Sequence, residues 1–142
     1  VVLFIDTHDV TLQNLTVENA SGDSATHGQA IALYADGDRL TIDSCRLLGH
    51  QDTLFTGPLP ETERQPGGFI GPKQFAPRIN GRHYYKNCYI CGDIDFIFGS
   101  ATAYFEHCTI ESLLRTKTSA QSDALSDTSA FPLIQGYVTA AG

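Results

Sequence analysis

Four eight-residue segments of this chain can be laid over one another without gaps: Val10–Val17, Leu40–Leu47, His83–Ile90 and Ala103–Ile110. The third position is always apolar or aromatic (Leu12, Ile42, Tyr85, Phe105), the sixth is Leu15, Cys45, Cys88 or Cys108, and the eighth is Val17, Leu47, Ile90 or Ile110. Alternation on either side of a polar residue predicts two short strands joined by a bend, each with one face buried. The segments start 30, 43 and 20 residues apart, so a constant unit is joined by connections of variable length. A solenoid behaves in this way, with insertions confined to its surface loops. The expected fold class is therefore all-β, a parallel β-helix in which equivalent side chains stack from coil to coil. Cys45, Cys88 and Cys108 form one such ladder, and Asn14, Ser44, Asn87 and His107 a polar ladder at the bend.

Composition sharpens this picture. The 142 residues include 13 Gly and only 18% charged residues, which suits a turn-rich β protein better than a helical bundle. A net charge of −7 argues against a nucleic-acid partner held through phosphates. No apolar run approaches bilayer-spanning length, so no membrane partner is expected. There is no Met and no Trp, and both Val1–Ile5 and Gly136–Gly142 read as strands caught partway. The expectation is one partial domain over 1–142, a solenoid truncated at both ends, with an insertion loop at 57–80 and a further loop at 116–130. The insertion's Phe69 and Phe75 are expected to line a groove or to pin the loop.

Four cysteines invite a zinc or disulfide reading. Cys88 and Cys91 have zinc-like spacing, but Cys45 and Cys108 are isolated and supply no second pair. Ladder neighbours about 4.8 Å apart with parallel Cβ bonds have poor disulfide geometry. Buried free thiols, no metal and no cofactor are the expectation.

Beyond the cysteine column the alignment continues. Gly49-His50-Gln51-Asp52-Thr-Leu-Phe55 matches Gly92-Asp93-Ile94-Asp95-Phe-Ile-Phe98, setting Gly on Gly, Asp52 on Asp95 and Phe55 on Phe98. On stacked coils the two carboxylates lie about one strand spacing, roughly 4.8 Å, apart. Like charges that close split their proton affinities, supplying an acid and an ionised nucleophile or base together. A solvated acidic face is the bland alternative, against which the apolar and aromatic flanks count. A calcium site from Asp52, Asp93 and Asp95 ranks lower, for want of ligands. His50, next to the pair, is expected to tune it or simply to hydrogen-bond. The symmetry of the repeat does not say which Asp plays which part.

These residues also carry a family resemblance. Gly28-Gln29-Ala30-Ile31-Ala32-Leu33, Gly49-His50-Gln51-Asp52-Thr53-Leu54 and Gly92-Asp93-Ile94-Asp95-Phe96-Ile97-Phe98-Gly99 resemble signature blocks of the pectin methylesterases, in order, with a further likeness at Gly136–Ala141. The resemblance implies a right-handed parallel β-helix that hydrolyses the methyl ester on galacturonate units of pectin. It also implies secretion and a monomeric full-length form. Asp95 becomes the nucleophile, Asp52 the acid and then base, and Gln51 and Gln29 the oxyanion donors. A groove for an extended polysaccharide calls for aromatic lining, for which Phe96 and Phe98 are candidates although alternation places about half of such residues in the core, and Arg115 is a further candidate substrate contact. The family's later Leu-Gly-Arg block does not occur in this chain; Arg115, one coil after Asp95 in the repeat register and seven residues past Cys108, is the candidate partner of the nucleophile. Two other readings stay open: a polysaccharide-binding β-helix without turnover, and an esterase or thioesterase of the same fold acting on another acyl group.

Overall fold

Residues 1–63, 66–68, 71–114 and 136–141 are described by a computed structural model. Apolar alternation becomes three short strands per coil. The first coil holds β1 (Leu3–Ile5), β2 (His8–Gln13) and β3 (Thr16–Glu18), followed by a four-residue helix α1 (Ser24–His27). The second holds β4 (Leu33–Ala35), β5 (Asp38–Asp43) and β6 (Arg46–Leu48); the third holds β7 (Leu54–Thr56), β8 (Arg82–Lys86) and β9 (Tyr89–Gly92). The fourth holds β10 (Ile97–Gly99), β11 (Thr102–Glu106) and β12 (Thr109–Ser112), and β13 (Thr139–Ala141) begins another turn. Like strands pair only with like, in three parallel sheets ordered β1-β4-β7-β10-β13, β11-β8-β5-β2 and β12-β9-β6-β3. This is a parallel β-helix.

The register is the one the repeat predicts. Leu12 pairs with Ile42, Ile42 with Tyr85 and Tyr85 with Phe105, while Val17, Leu47, Ile90 and Ile110 form the next column. Between the columns the chain turns through a left-handed residue at Asn14, Ser44, Asn87 and His107, with φ of 57°, 54°, 52° and 51°. Asn and His tolerate this conformation better than most residues, and the Asn14, Ser44 and Asn87 amides still donate to Asp43, Lys86 and Glu106 of the next coil. The polar ladder is thus the corner between the second and third sheets.

Inside the coils, Leu33, Leu40, Ile42, Leu47, Leu54, Tyr85, Ile90 and Phe96 make one core, and Tyr85 stacks on Phe105 at 4.7 Å. All four cysteines are free thiols, buried except for the partly exposed Cys108. Burial pushes the Cys88 thiol up to about 11. Leu15 shares the cysteine column yet is 46% exposed, because β3 is an outer strand of its sheet.

Several local features differ from expectation or add to it. His83 sits in β8, buried, with its ring 3.0 Å from the Gly37 carbonyl. Between β7 and β8 the described residues form turns and coil, gathered by Arg78, whose guanidinium donates to the carbonyls of Pro60, Lys73, Gln74 and Ala76. Phe75 is 93% exposed and does not pin this segment; Phe69 lies outside the described residues, as does all of 116–130. Leu47→Ala, which empties a fully buried site, is expected to lower unfolding free energy by about 2–5 kcal/mol in urea titrations. Leu15→Ala, at its half-exposed site, is expected to cost about 1 kcal/mol or less. Equal effects would contradict the buried and half-exposed settings of these two positions.

Candidate active site

The turns that lead from the third sheet back to the first carry all four of the reacting residues expected from sequence. Gln29 follows α1, Gln51 and Asp52 lie between β6 and β7, and Asp95 lies between β9 and β10. Asp52 and Asp95 are themselves left-handed, with φ of 64° and 45°, a conformation Asp adopts more readily than most residues. The equivalent glycines before them have a steric reason. A Cβ on Gly49 would meet Thr53 Oγ1 at 2.7 Å, and one on Gly92 would meet the His50 carbonyl at 2.4 Å. Thr53, fully buried, plugs the corner by donating to the carbonyls of His50 (3.2 Å) and Cys91 (2.9 Å).

Backbone bonds set the register of the reacting groups. The Asp52 amide donates to the Ile94 carbonyl at 3.2 Å, placing Asp52 opposite Asp95, and Gln29 and Gln51 form a parallel bridge. Two carboxylates and two amides therefore occupy one corner over three successive coils. Asp52 is 5% exposed, whereas Asp95 and Gln51 are partly exposed and Gln29 is open to solvent. Burial first, and the negative charge of Asp95 second, push the Asp52 carboxyl up to about 7. Near neutral pH Asp52 can hold a proton, as a general acid requires.

The remaining candidates separate. Phe96 is fully buried within the core, so the substrate contact expected of it is not available. The reason is the corner: the column Ala32, Thr53, Phe96 precedes the strands and points inward, as does the column Leu33, Leu54, Ile97 that follows. Phe98 lies on the other face of its sheet, partly exposed at the end of an aromatic ladder. Ring centroids there are 5.0 Å apart for Phe4 and Tyr34, 4.4 Å for Tyr34 and Phe55, and 4.9 Å for Phe55 and Phe98. Arg115 lies outside the described residues.

Asp93 does not join Asp52 and Asp95 in a cation site. It turns instead to His50 and Asp23, whose donor atoms lie with its own within 4.8 Å. The sequence signal for the His50–Asp93 contact was present in the alignment of the two Gly-x-x-Asp blocks, which sets these residues opposite one another. Ser24 and Asp23, from α1 and its N-cap, carried no such signal. A cavity of about 440 Å³ opens beside this corner, lined by Glu18, Asn19, Arg46, His50 and Tyr89 among others, with Arg46 over the Tyr89 ring at 4.4 Å. Neither Asp52 nor Asp95 lines it.

A carboxyl of raised proton affinity opposite a second carboxylate, with two amide side chains on neighbouring turns, can support acyl transfer. Comparison with known proteins names the kind more closely. The family model described as Pectinesterase matches residues 78–129. Pectinesterase B of Dickeya dadantii is 41% identical over 108 residues, 74% of this chain and 22% of that protein. Pectinesterase 31 of Arabidopsis thaliana is 33% identical over 120 residues, 84% of this chain and 30% of that protein. The solved pectin methylesterase PemA from Erwinia chrysanthemi superposes with a TM-score of 0.62 and 28% identity, covering 97% of this chain and 35% of that one. Escherichia coli ybhc gives 0.56 and 32%, covering 75% and 25%. The chain resembles the pectinesterases, as its motifs indicate, and its fold is a right-handed parallel β-helix. It spans roughly a quarter to a third of the length of these relatives.

The raised Asp52 value has a consequence for stability. Ionising Asp52 costs nothing extra while folded and unfolded states are both protonated, below the ordinary 3.8; the cost grows as pH rises and is complete above about 7. Asp52→Asn is therefore expected to raise Tm by several degrees at pH 8 and to change it far less at pH 4. Thermal unfolding at the two pH values checks this, and no gain at pH 8 would contradict the buried, charge-coupled setting.

Proposed function

We propose that this chain supplies the reacting coils of a pectin methylesterase, hydrolysing the methyl ester of galacturonate units to methanol and a free carboxylate. The observation that carries the reading is the stacked Asp52–Asp95 pair, in which Asp52 is shifted to about 7 beside the amide pair Gln29 and Gln51. The names of the relatives supply the substrate class.

In this reading a carboxylate oxygen of Asp95 attacks the ester carbonyl carbon, and the negative charge that gathers on the carbonyl oxygen is met by side-chain N–H donors of Gln29 and Gln51. Such a donor is typically worth about 10²–10³ in rate. Asp52 gives its proton to the methoxy oxygen, the C–O bond breaks and methanol leaves, with the acyl group held as an anhydride on Asp95. Asp52, now a carboxylate, takes a proton from water; the hydroxide adds to the acyl carbon, and Asp95 departs as carboxylate. Phe98 offers an apolar face near the nucleophile, and Arg115 is the proposed cation beside it. Pectin is an extracellular polymer, so the reading implies action outside the producing cell. Among the described residues no helix is long and apolar enough to cross a membrane.

Methanol release from methylated polygalacturonate by the full-length protein tests the reading. Asp95→Asn is expected to lower the rate by about 10³-fold or more and Gln51→Ala by about 10²-fold or more. An unaffected Asp95→Asn rate would reject the nucleophile, and activity on other acyl esters without methanol release from pectin would redirect the substrate. Because Asp52 must enter protonated, kcat/KM is expected to fall as pH rises through about 7. A profile flat across that range would reject Asp52 as the acid.

A further inference from the structure

Asp93 is fully buried, yet no step above uses it. Its Oδ2 accepts a hydrogen bond from Ser24 Oγ at 2.8 Å and lies 3.3 Å from His50 Nδ1. With Asp93 as the acceptor, the contact takes the imidazole proton on Nδ1. Oδ1 has no partner, the single such buried side-chain atom among the described residues. Asp23 brings a second carboxylate to the same place, within 4.8 Å. Burying a carboxylate here is unfavourable compared with an apolar filling such as Phe96 supplies three residues further on. Packing alone does not account for it.

What the three groups share is their position along the chain. His50 immediately precedes Gln51 and Asp52, Asp93 stands two residues before Asp95, and Ser24 opens the helix that leads to Gln29. One carboxylate thus ties together the three turns on which the four reacting groups ride. A Cβ on Gly136 would lie 1.7 Å from the Asp93 carbonyl oxygen, so the next pass of the chain closes over the same residue.

We propose that Asp93, through Ser24 and His50, is the positioning residue of this site, fixing the spacing of the nucleophile turn against the acid turn and the oxyanion turn. The inference rests on the esterase reading above and adds to it a residue that touches no substrate. A misplacement of about 1 Å between reacting groups can cost about 10²-fold in rate, so a tie across three coils has a kinetic consequence well before it has a structural one.

The experiment compares kcat, KM and Tm for methanol release by the full-length protein and its Ser24→Ala, His50→Ala, His50→Gln and Asp93→Asn variants. His50→Ala and Asp93→Asn are expected to lose about 10- to 100-fold in kcat with KM within about twofold and little loss of Tm. His50→Gln, whose amide can donate to Asp93, is expected to recover most of the rate. The double variant His50→Ala/Asp93→Asn is expected to be no slower than the slower single variant, because both changes act on one contact, which the alanine removes and the asparagine weakens. Unchanged kcat in folded variants, a loss confined to KM, additive effects in the double variant, or no recovery with glutamine would each overturn the proposal. Should Asp93→Asn fail to fold, Ser24→Ala and the two His50 variants carry the comparison. A parent protein inactive on pectin overturns the esterase reading itself; an active parent with unaffected variants overturns the positioning role alone.

Discussion

Parallel coils in register hold each residue about 4.8 Å from its counterpart in the next coil, and nearly everything else in this structure follows from that spacing. It turns a column of Leu12, Ile42, Tyr85 and Phe105 into a continuous core and a column of cysteines into a file of separate thiols. Where the column is polar it demands a shared conformation, and Asn14, Ser44, Asn87 and His107 all adopt φ within 51–57°. Applied to two aspartates, the same spacing makes a chemical device. Asp52 and Asp95 stand opposite each other because their coils do, and burial together with that proximity raises the proton affinity of Asp52.

The corner that carries this device is built against stability. Asp52 is nearly excluded from solvent beside another carboxylate, and Asp93 is wholly excluded with one oxygen unpartnered. Left-handed aspartates add local backbone cost. Thr53 with its two carbonyl partners, the close packing of Gly49 and Gly92, and the apolar columns on either side hold the corner in place. Concentrating strain and buried charge where reacting groups converge, while the rest of the coil stays apolar and regular, is the pattern expected of a site whose geometry matters more than its local stability.

Some misreadings from sequence have one physical origin. Phe96 reads from sequence as a candidate substrate contact, yet the left-handed turn at Asp95 sends it into the core and leaves Phe98 on the outer face. Strict alternation fails at a corner, where two successive residues can both point inward, as Thr53 and Leu54 also do. Phe75 illustrates the converse: an aromatic residue in a turn-rich insertion is no guide to burial, and this one is 93% exposed.

The sequence by itself determined the repeat, and with it the strand columns, the register, the corner residues and the pairing of Asp52 with Asp95. In a solenoid these are local properties of a unit laid over its neighbour. Alignment also sets His50 opposite Asp93. Tertiary structure alone decided what surrounds those pairs: that Asp52 is the more buried of its pair and has its proton affinity raised, that Phe96 fills a corner, and that Ser24, 69 residues before Asp93, closes a contact with it. Burial and contacts across turns of unequal length depend on how the chain is packed in space, and a residue's place in the repeat carries no record of that.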